Sequence, residues 1–347
     1  MKSLLGFFLF CFFFASFGAA QTVFDHFTGT SLNKKLWWPY GEVSARSFGK
    51  SQMKMSLSSN QQSGMISMEA MKGDFDFVLD FSQFSAPGSN NLDAEFELSV
   101  MNAEGPIGVE NHLGVSIEGA GRGIQFSTYS EQAGKFHGFA KRATTATAGE
   151  LRIRRYTLQS KVWIAALVRP RGQKSWTVLR TWPNWFPNLV YIKIQASTAK
   201  TNSLSVQSDK LSYFVATRVA SPMNYGRSCH SLSSRAYGIP SLGNSNYGIL
   251  VWGGKKLGLT PLLTLLGLKK LSVDLSALGA PGCFLYASPD LILLLPSLDK
   301  MGWGFAKLPI PNTPSLRGLR IYHQQLVISS QNRLQLLFSN GVETILR

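Results

Sequence analysis

From Gly149 to Trp182 the apolar and polar residues trade places in a way that predicts three strands. Leu151 and Ile153 alternate with Arg152 and Arg154, the period of two that sends successive side chains to opposite faces of a strand. Val162 to Val168 is an unbroken apolar run of strand length, as expected of a strand covered on both faces. Pro170 and Gly172 punctuate the polar stretch that follows, and Trp176, Val178 and Leu179 begin a return strand. Such Pro/Gly punctuation between apolar runs marks a hairpin turn.

The same period recurs upstream. Met53, Met55 and Leu57 alternate within Gln52 to Leu57, and a short segment follows at Gly64 to Ala70. Between Gly73 and Phe81, Phe75, Phe77, Leu79 and Phe81 share one face while Asp74, Asp76 and Asp80 share the other. Leu92, Ala94, Phe96, Leu98 and Val100 repeat the pattern, and Val109 to Ile117 and Gly123 to Tyr129 continue it. No helical period is sustained over 11–18 residues. Short strands with a turn signal every 8–12 residues predict an all-β chain of antiparallel sandwiches or barrels.

The chain has 347 residues, enough for one large or two ordinary domains. Lys2 precedes an apolar run from Leu4 to Phe17 and the small residues Gly18-Ala19-Ala20. Residues 1–20 are therefore expected to be a secretory signal peptide, too short in its apolar run to span a membrane. Secretion or cell-surface location follows, with no transmembrane anchor after signal removal. Two cysteines remain beyond it, Cys229 and Cys283. An exported chain permits a disulfide, and two cysteines allow one pairing.

Net charge is +16, but the basic residues are scattered singly or in pairs. Loose attraction to anionic surfaces is expected, and no signature of a specific nucleic-acid reader is present. Gly119, Gly121 and Gly123 imitate a dinucleotide loop without the helix that such a loop must open. No Gly-x-Ser-x-Gly elbow, phosphate loop or histidine-rich metal motif occurs.

Phe24-Asp25-His26-Phe27-Thr28-Gly29-Thr30-Ser31-Leu32, followed by Trp37, resembles the opening of concanavalin A-like lectin/glucanase domains. Gly64-Met65-Ile66 followed by Gly73-Asp74-Phe75-Asp76-Phe77, the Leu151 to Arg155 strand, Trp176 to Leu179, Tyr191 to Ala196 and Ser208 to Phe214 are similar to its later strands. The resemblance covers about 22–217 and implies a jelly-roll sandwich with ligands on a concave face or its rim loops. Residues 21–217 are thus expected as one domain, with 218–224 as a linker around Ser221-Pro222. Beyond it come Tyr225-Gly226-Arg227-Ser228-Cys229, Gly238-Ile239-Pro240, Gly279-Ala280-Pro281-Gly282-Cys283, Pro309 to Asn312, Gly318 to Gln324 and Ser339-Asn340-Gly341. This order resembles a small C-terminal β domain that recurs in exported planctomycete-like bacterial proteins, and predicts a second, smaller β-sandwich over 225–347. Its apolar runs at Leu262–Leu268 and Leu291–Leu295 are of strand length.

Two chemistries compete. Sugar sites join aromatic platforms to a few polar groups in a concavity. Trp37, Trp38 and Tyr40 form one aromatic cluster, and Trp182 and Trp185, bounded by Pro183 and Pro187, form another. The expectation is a binding or surface-associated protein whose partner is a polysaccharide or cell-envelope component. The alternative is a glycoside hydrolase acting on a β-glucan-like polysaccharide through Asp93, Glu95 and Glu97. Residues at i, i+2 and i+4 of a strand share a face, and neighbouring carboxylates push their pKa values apart, as glycoside hydrolysis requires. Laminarinases and lichenases carry a Glu-x-Asp-x-Glu-like strand; here the acids are ordered Asp-x-Glu-x-Glu. A third reading is a purely structural envelope protein. No cofactor is expected beyond a structural calcium, for which Asp25 or Asp209 could supply hard oxygen ligands.

Overall fold

The computed structural model describes residues 22–87, 94–103, 111–120, 123–133, 135–183, 189–199, 203–219 and 222–347. The expected signal peptide, Asp93 and Trp185 lie outside the described residues. The fold is all-β, with antiparallel sheets joined by turns and a few three-residue 3-10 turns.

The first unit stacks two sheets. The front sheet runs in the order β10 (Lys135–Thr144), β9 (Gly123–Gln132), β8 (His112–Ala120), β7 (Ala94–Asn102), β14 (Leu189–Thr198), β5 (Gln62–Ser67) and β2 (Trp37–Gly41). The back sheet runs β13 (Thr177–Pro183), β12 (Lys161–Pro170), β11 (Gly149–Leu158), β6 (Ala70–Ser85), β16 (Leu211–Val219) and β1 (Thr22–Asp25). β6 is sixteen residues long. Its far end pairs with β15 (Leu204–Ser208), which continues to β4 (Gln52–Leu57) and β3 (Arg46–Gly49). The phenylalanine stripe of β6 faces inward with Phe96, Leu98 and Val100 of β7 and Leu151 and Ile153 of β11, all in one buried core. Asp76 on the outer face takes two bonds from Arg152, one of them at 2.7 Å. Trp176 lies between the Arg152 and Arg169 guanidiniums, 4.9 and 4.6 Å from its ring.

The second unit holds a five-stranded sheet in the order β17 (Met223–Tyr225), β26 (Leu336–Ile345), β25 (Arg320–Ile328), β20 (Leu262–Gly267) and β23 (Leu291–Leu295). A three-stranded sheet, β18 (Ser233–Tyr237), β19 (Gly248–Trp252) and β24 (Trp303–Lys307), packs over it, and β21 (Lys270–Asp274) pairs with β22 (Phe284–Ala287). Cys229 and Cys283 are bonded within its buried core. The segment expected as a linker carries the end of β16 and the start of β17.

A third buried cluster joins the units. Trp38, Tyr40, Ile66, Met101 and Tyr191 from the outer face of the front sheet, with Met68 just past β5, meet Tyr237, Leu250 and Trp252 from β18 and β19, with Trp303 and Phe305 packed against them. The three-stranded sheet therefore has two apolar faces: Ile249 and Val251 look into the second core, and Leu250 and Trp252 look at the first unit. Alternation with both faces apolar is what a strand between two cores requires.

Candidate functional site

The front sheet's outer face is organised by register. Because paired residues point to the same side, the pairs Tyr40–Gly64, Gly64–Gln195, Gln195–Glu97, Glu97–Ser116, Ser116–Ser127 and Ser127–Lys141 form one polar row across seven strands. Two of its members lie flat over bare backbone. Tyr40 lies across Gly64, where a Cβ would meet its hydroxyl at 2.3 Å, and donates to Gln195 Oε1 at 2.8 Å. Glu97 lies across Gly114, where a Cβ would meet its carboxyl carbon at 2.9 Å. Beneath the row, the buried Arg46 guanidinium donates to the carbonyls of Tyr40 and Gly64 and ties β2 to β5.

At one end of this face the second unit leaves a cleft of about 440 Å³. Tyr40, Gln62, Ile66, Met101, Lys193 and Gln195 line it from the first unit; Leu250, Asp299, Trp303, Gly304 and Phe305 line it from the second. Trp303 is half-buried, with its ring 5.0 Å from Tyr40 and 5.7 Å from Trp38. Glycine is required beside it at Gly302, and Gly304 leaves room for the Leu298 side chain. A Cβ on Gly302, which sits at φ +85°, would meet Gly254 backbone at 2.2 Å, and one on Gly304 would meet Leu298 at 2.5 Å.

The acidic strand adjoins the cleft through Gln195 and Lys193. β7 places Glu95 and Glu97 on the outer face, with Glu95 opposite Glu118 of β8. Glu95 is half-buried and Glu97 fully buried. Burial first, then the charges of Glu97 and Glu118, push the Glu95 carboxyl up to about 8. Glu97 moves the opposite way. Burial alone would raise it, but His112 Nε2 at 3.2 Å, helped by Lys193 and Ser99, brings it down to about 2. Tyr129 donates to Glu97 Oε2 at 3.0 Å and stands 3.1 Å from His112 Nδ1; burial and Glu97 hold its phenol well above the usual range. Glu118 accepts from Gln125 and lies 3.6 Å from Lys141.

The aromatic residues singled out in the sequence are used differently from the expectation. Trp37 is fully buried in the first core, its indole donating to Asp25. Trp182 is 4% exposed in the same core. Pro183 does not eject it, because β13 is a sheet edge where a missing N–H breaks no ladder, and its register opposite Ile164 turns the ring inward. Trp38 and Tyr40, 2% and 1% exposed, are covered by the second unit. None of these four offers a free ring face to a sugar, and only Tyr40 reaches the cleft. The aromatic surface there comes instead from Trp303 and Phe305. The alternation Gly302-Trp303-Gly304-Phe305 and the polar positions in Tyr191-Ile192-Lys193-Ile194-Gln195 are the sequence signals that mark the cleft.

Among the described residues neither acid considered for calcium belongs to a group of three or more His, Cys, Asp or Glu side chains that could hold a metal ion. Asp25 is engaged by Phe27 N–H and Trp37 Nε1. Asp209 lies beside Asp80, whose Oδ1 accepts from Ser208 and from the amides of Asp209 and Lys210. Among the described residues no group of three or more His, Cys, Asp or Glu side chains could hold a metal ion, and no helix is long and apolar enough to cross a membrane.

No protein-family model matches the chain, and no curated protein matches it. Solved structures similar to part of this chain include a legume lectin-like domain from Entamoeba histolytica, 12% identical, covering 52% of this chain and 91% of that one at a TM-score of 0.41. The VIP36 exoplasmic/lumenal domain in its Ca²⁺/Man-bound form is 12% identical over 57% of this chain and 90% of that one, at 0.43. The Emp47p carbohydrate recognition domain is 13% identical over 56% and 95%, also at 0.43. At these values the likeness carries no functional argument, and function has to be read from the cleft.

Proposed function

We propose that this chain is a secreted or cell-surface carbohydrate-binding protein, with residues 21–217 and 225–347 as its two units, and that its ligand occupies the cleft between them. The observation that carries this reading is the cleft's lining. The rings of Trp303 and Phe305 stand beside an amide at Gln195, another at Gln62, an ammonium at Lys193 and a carboxylate at Asp299. Apolar ring faces for C–H surfaces with a few directional donors and acceptors are what a sugar ring demands. The volume suits a ligand of a few sugar residues. A polysaccharide or cell-envelope glycan is the partner class, and the buried disulfide accords with an exported chain.

Screening the whole mature chain on a glycan array tests this. Binding is expected, and Lys193→Ala and Gln195→Ala should each weaken it by about 1–2 kcal/mol. An array with no hits would remove the reading.

The opposed shifts of Glu95 and Glu97 favour a second reading, glycoside hydrolysis. Near neutral pH Glu95 keeps its proton and Glu97 is ionised, the pairing of acid and carboxylate that glycosidic cleavage uses. Reducing sugar released by the wild type and lost in Glu95→Gln would establish it; binding without release would leave the first reading in place.

A further inference from the structure

The second unit touches the first beyond both ends of the strands that floor the cleft and along β2. On one flank, Lys255 Nζ donates to the carbonyl of Asn60 at 3.3 Å, two residues from Gln62. On the other, the Tyr237 hydroxyl donates to the carbonyl of Asn102 at 3.0 Å, next to Met101. At the back, Trp303 leans on Tyr40 and Trp38, and Trp252 packs on Trp303 with ring centroids 4.8 Å apart. Arg235 fills the space behind, 2% exposed, with its guanidinium 4.3 Å from the Tyr191 ring and 5.9 Å from Trp38. Only the side of Lys193 and Gln195, toward the acidic strand, lacks such a contact among the described residues.

From this enclosure we propose that the site takes the end of a glycan chain and rejects the same sugar when it is flanked on both sides. The inference rests on the carbohydrate-binding reading above. A chain entering past Lys193 and Gln195 meets Trp303 and Phe305 with no exit between the Asn60 and Asn102 contacts. A sugar in the interior of a chain would have to carry its next residue through that wall. The Gln62 and Gln195 amides suit an uncharged terminal sugar, whose free hydroxyls replace the missing glycosidic link as their partners. On this view the second unit sets specificity: it turns an open sheet face into a blind cleft.

The test uses the full mature chain on an array that presents each sugar determinant twice, once at a free end and once internally. Hits confined to free ends, with a preference on the order of tenfold or more, are expected. Equal signals from both presentations would overturn the proposal while leaving the chain a carbohydrate-binding protein. A wholly blank array would remove the underlying reading, and this inference with it. Lys255→Ala, outside the lining and checked by thermal melting against wild type, removes the Asn60 contact and should bring the end-to-internal ratio toward one. Tyr237→Phe, which removes the Asn102 hydrogen bond and keeps the ring, serves the same purpose on the other flank. A folded wall variant that still refuses internal determinants counts against the wall.

Discussion

Glu95 and Glu97 sit two residues apart on β7, and their surroundings pull their protons in opposite directions. An acid raised on folding keeps a proton that the unfolded chain has already released. Between the ordinary carboxylate range and about 8, each rise in pH therefore costs stability at Glu95. Glu97 contributes the other sign: its stabilisation is complete above the ordinary range and is lost as pH falls toward 2. His323, buried without an acidic partner and lowered to about 3, also loses stability as pH drops below the imidazole range. The contributions overlap between pH 5 and 6.5, so the informative quantity is the difference between wild type and Glu95→Gln. From pH 5 to 8 the wild type should lose ~3–6 °C of Tm relative to the variant. Parallel melting curves would show that Glu95 is not held protonated. The sequence made the shared face of these acids legible, since alternation alone puts i and i+2 together. It could not show which acid is stabilised as a carboxylate, because His112 and Tyr129 come from β8 and β9.

At the level of the strand, the chain is most legible where one face meets the core. β6, β7 and β11 were visible because their apolar positions alternate into the first core. β10 was not, since nearly all its residues are half or fully exposed, Phe136 and Phe139 included. An edge strand with little to bury leaves no period of two. β2 was hidden for the opposite reason: Trp37 serves one core and Trp38 another, so the run reads as an aromatic cluster. Turns add a prediction of their own. β11 and β12 join through Gln159 and Ser160, both left-handed at φ +49° and +60°. A two-residue hairpin turn of this hand favours Asn-Gly, and a residue with a Cβ is strained there. Gln159→Asn with Ser160→Gly should raise stability by about 0.5–1 kcal/mol in urea unfolding. An unchanged midpoint would mean that the turn is relaxed as it stands.

For the molecule as a whole, the decisive feature is the cluster between the units, which no single strand announces. Trp38 and Trp303 lie 5.7 Å apart in space and 265 residues apart in sequence. Each ring, read locally, looks like a surface aromatic available to a ligand. Trp38 with Met68, Met101, Tyr191, Leu250 and Trp252 belongs to a third core, buried as well as the other two, against which the half-buried Trp303 packs. Arg235 is buried against that core, with burial depressing its pKa; Tyr191, Tyr237 and an Nε donation to the Ala236 carbonyl at 3.1 Å offset part of the lost hydration, and the cation–π contact with Tyr191 is part of that compensation. A joint of this kind couples the stability of the units, because separating them exposes apolar side chains worth about 1.5–3 kcal/mol each when fully buried. Calorimetry of residues 21–347 should therefore give one transition. A fragment ending at residue 219 should melt roughly 5–10 °C lower and bind a hydrophobic dye through its uncovered front face. Two separated transitions, with the fragment retaining the melting temperature of its unit in the full chain, would mean that the units meet without sharing stability. The cleft would then be free to open, and a wall resting on that contact could not enforce a preference for chain ends.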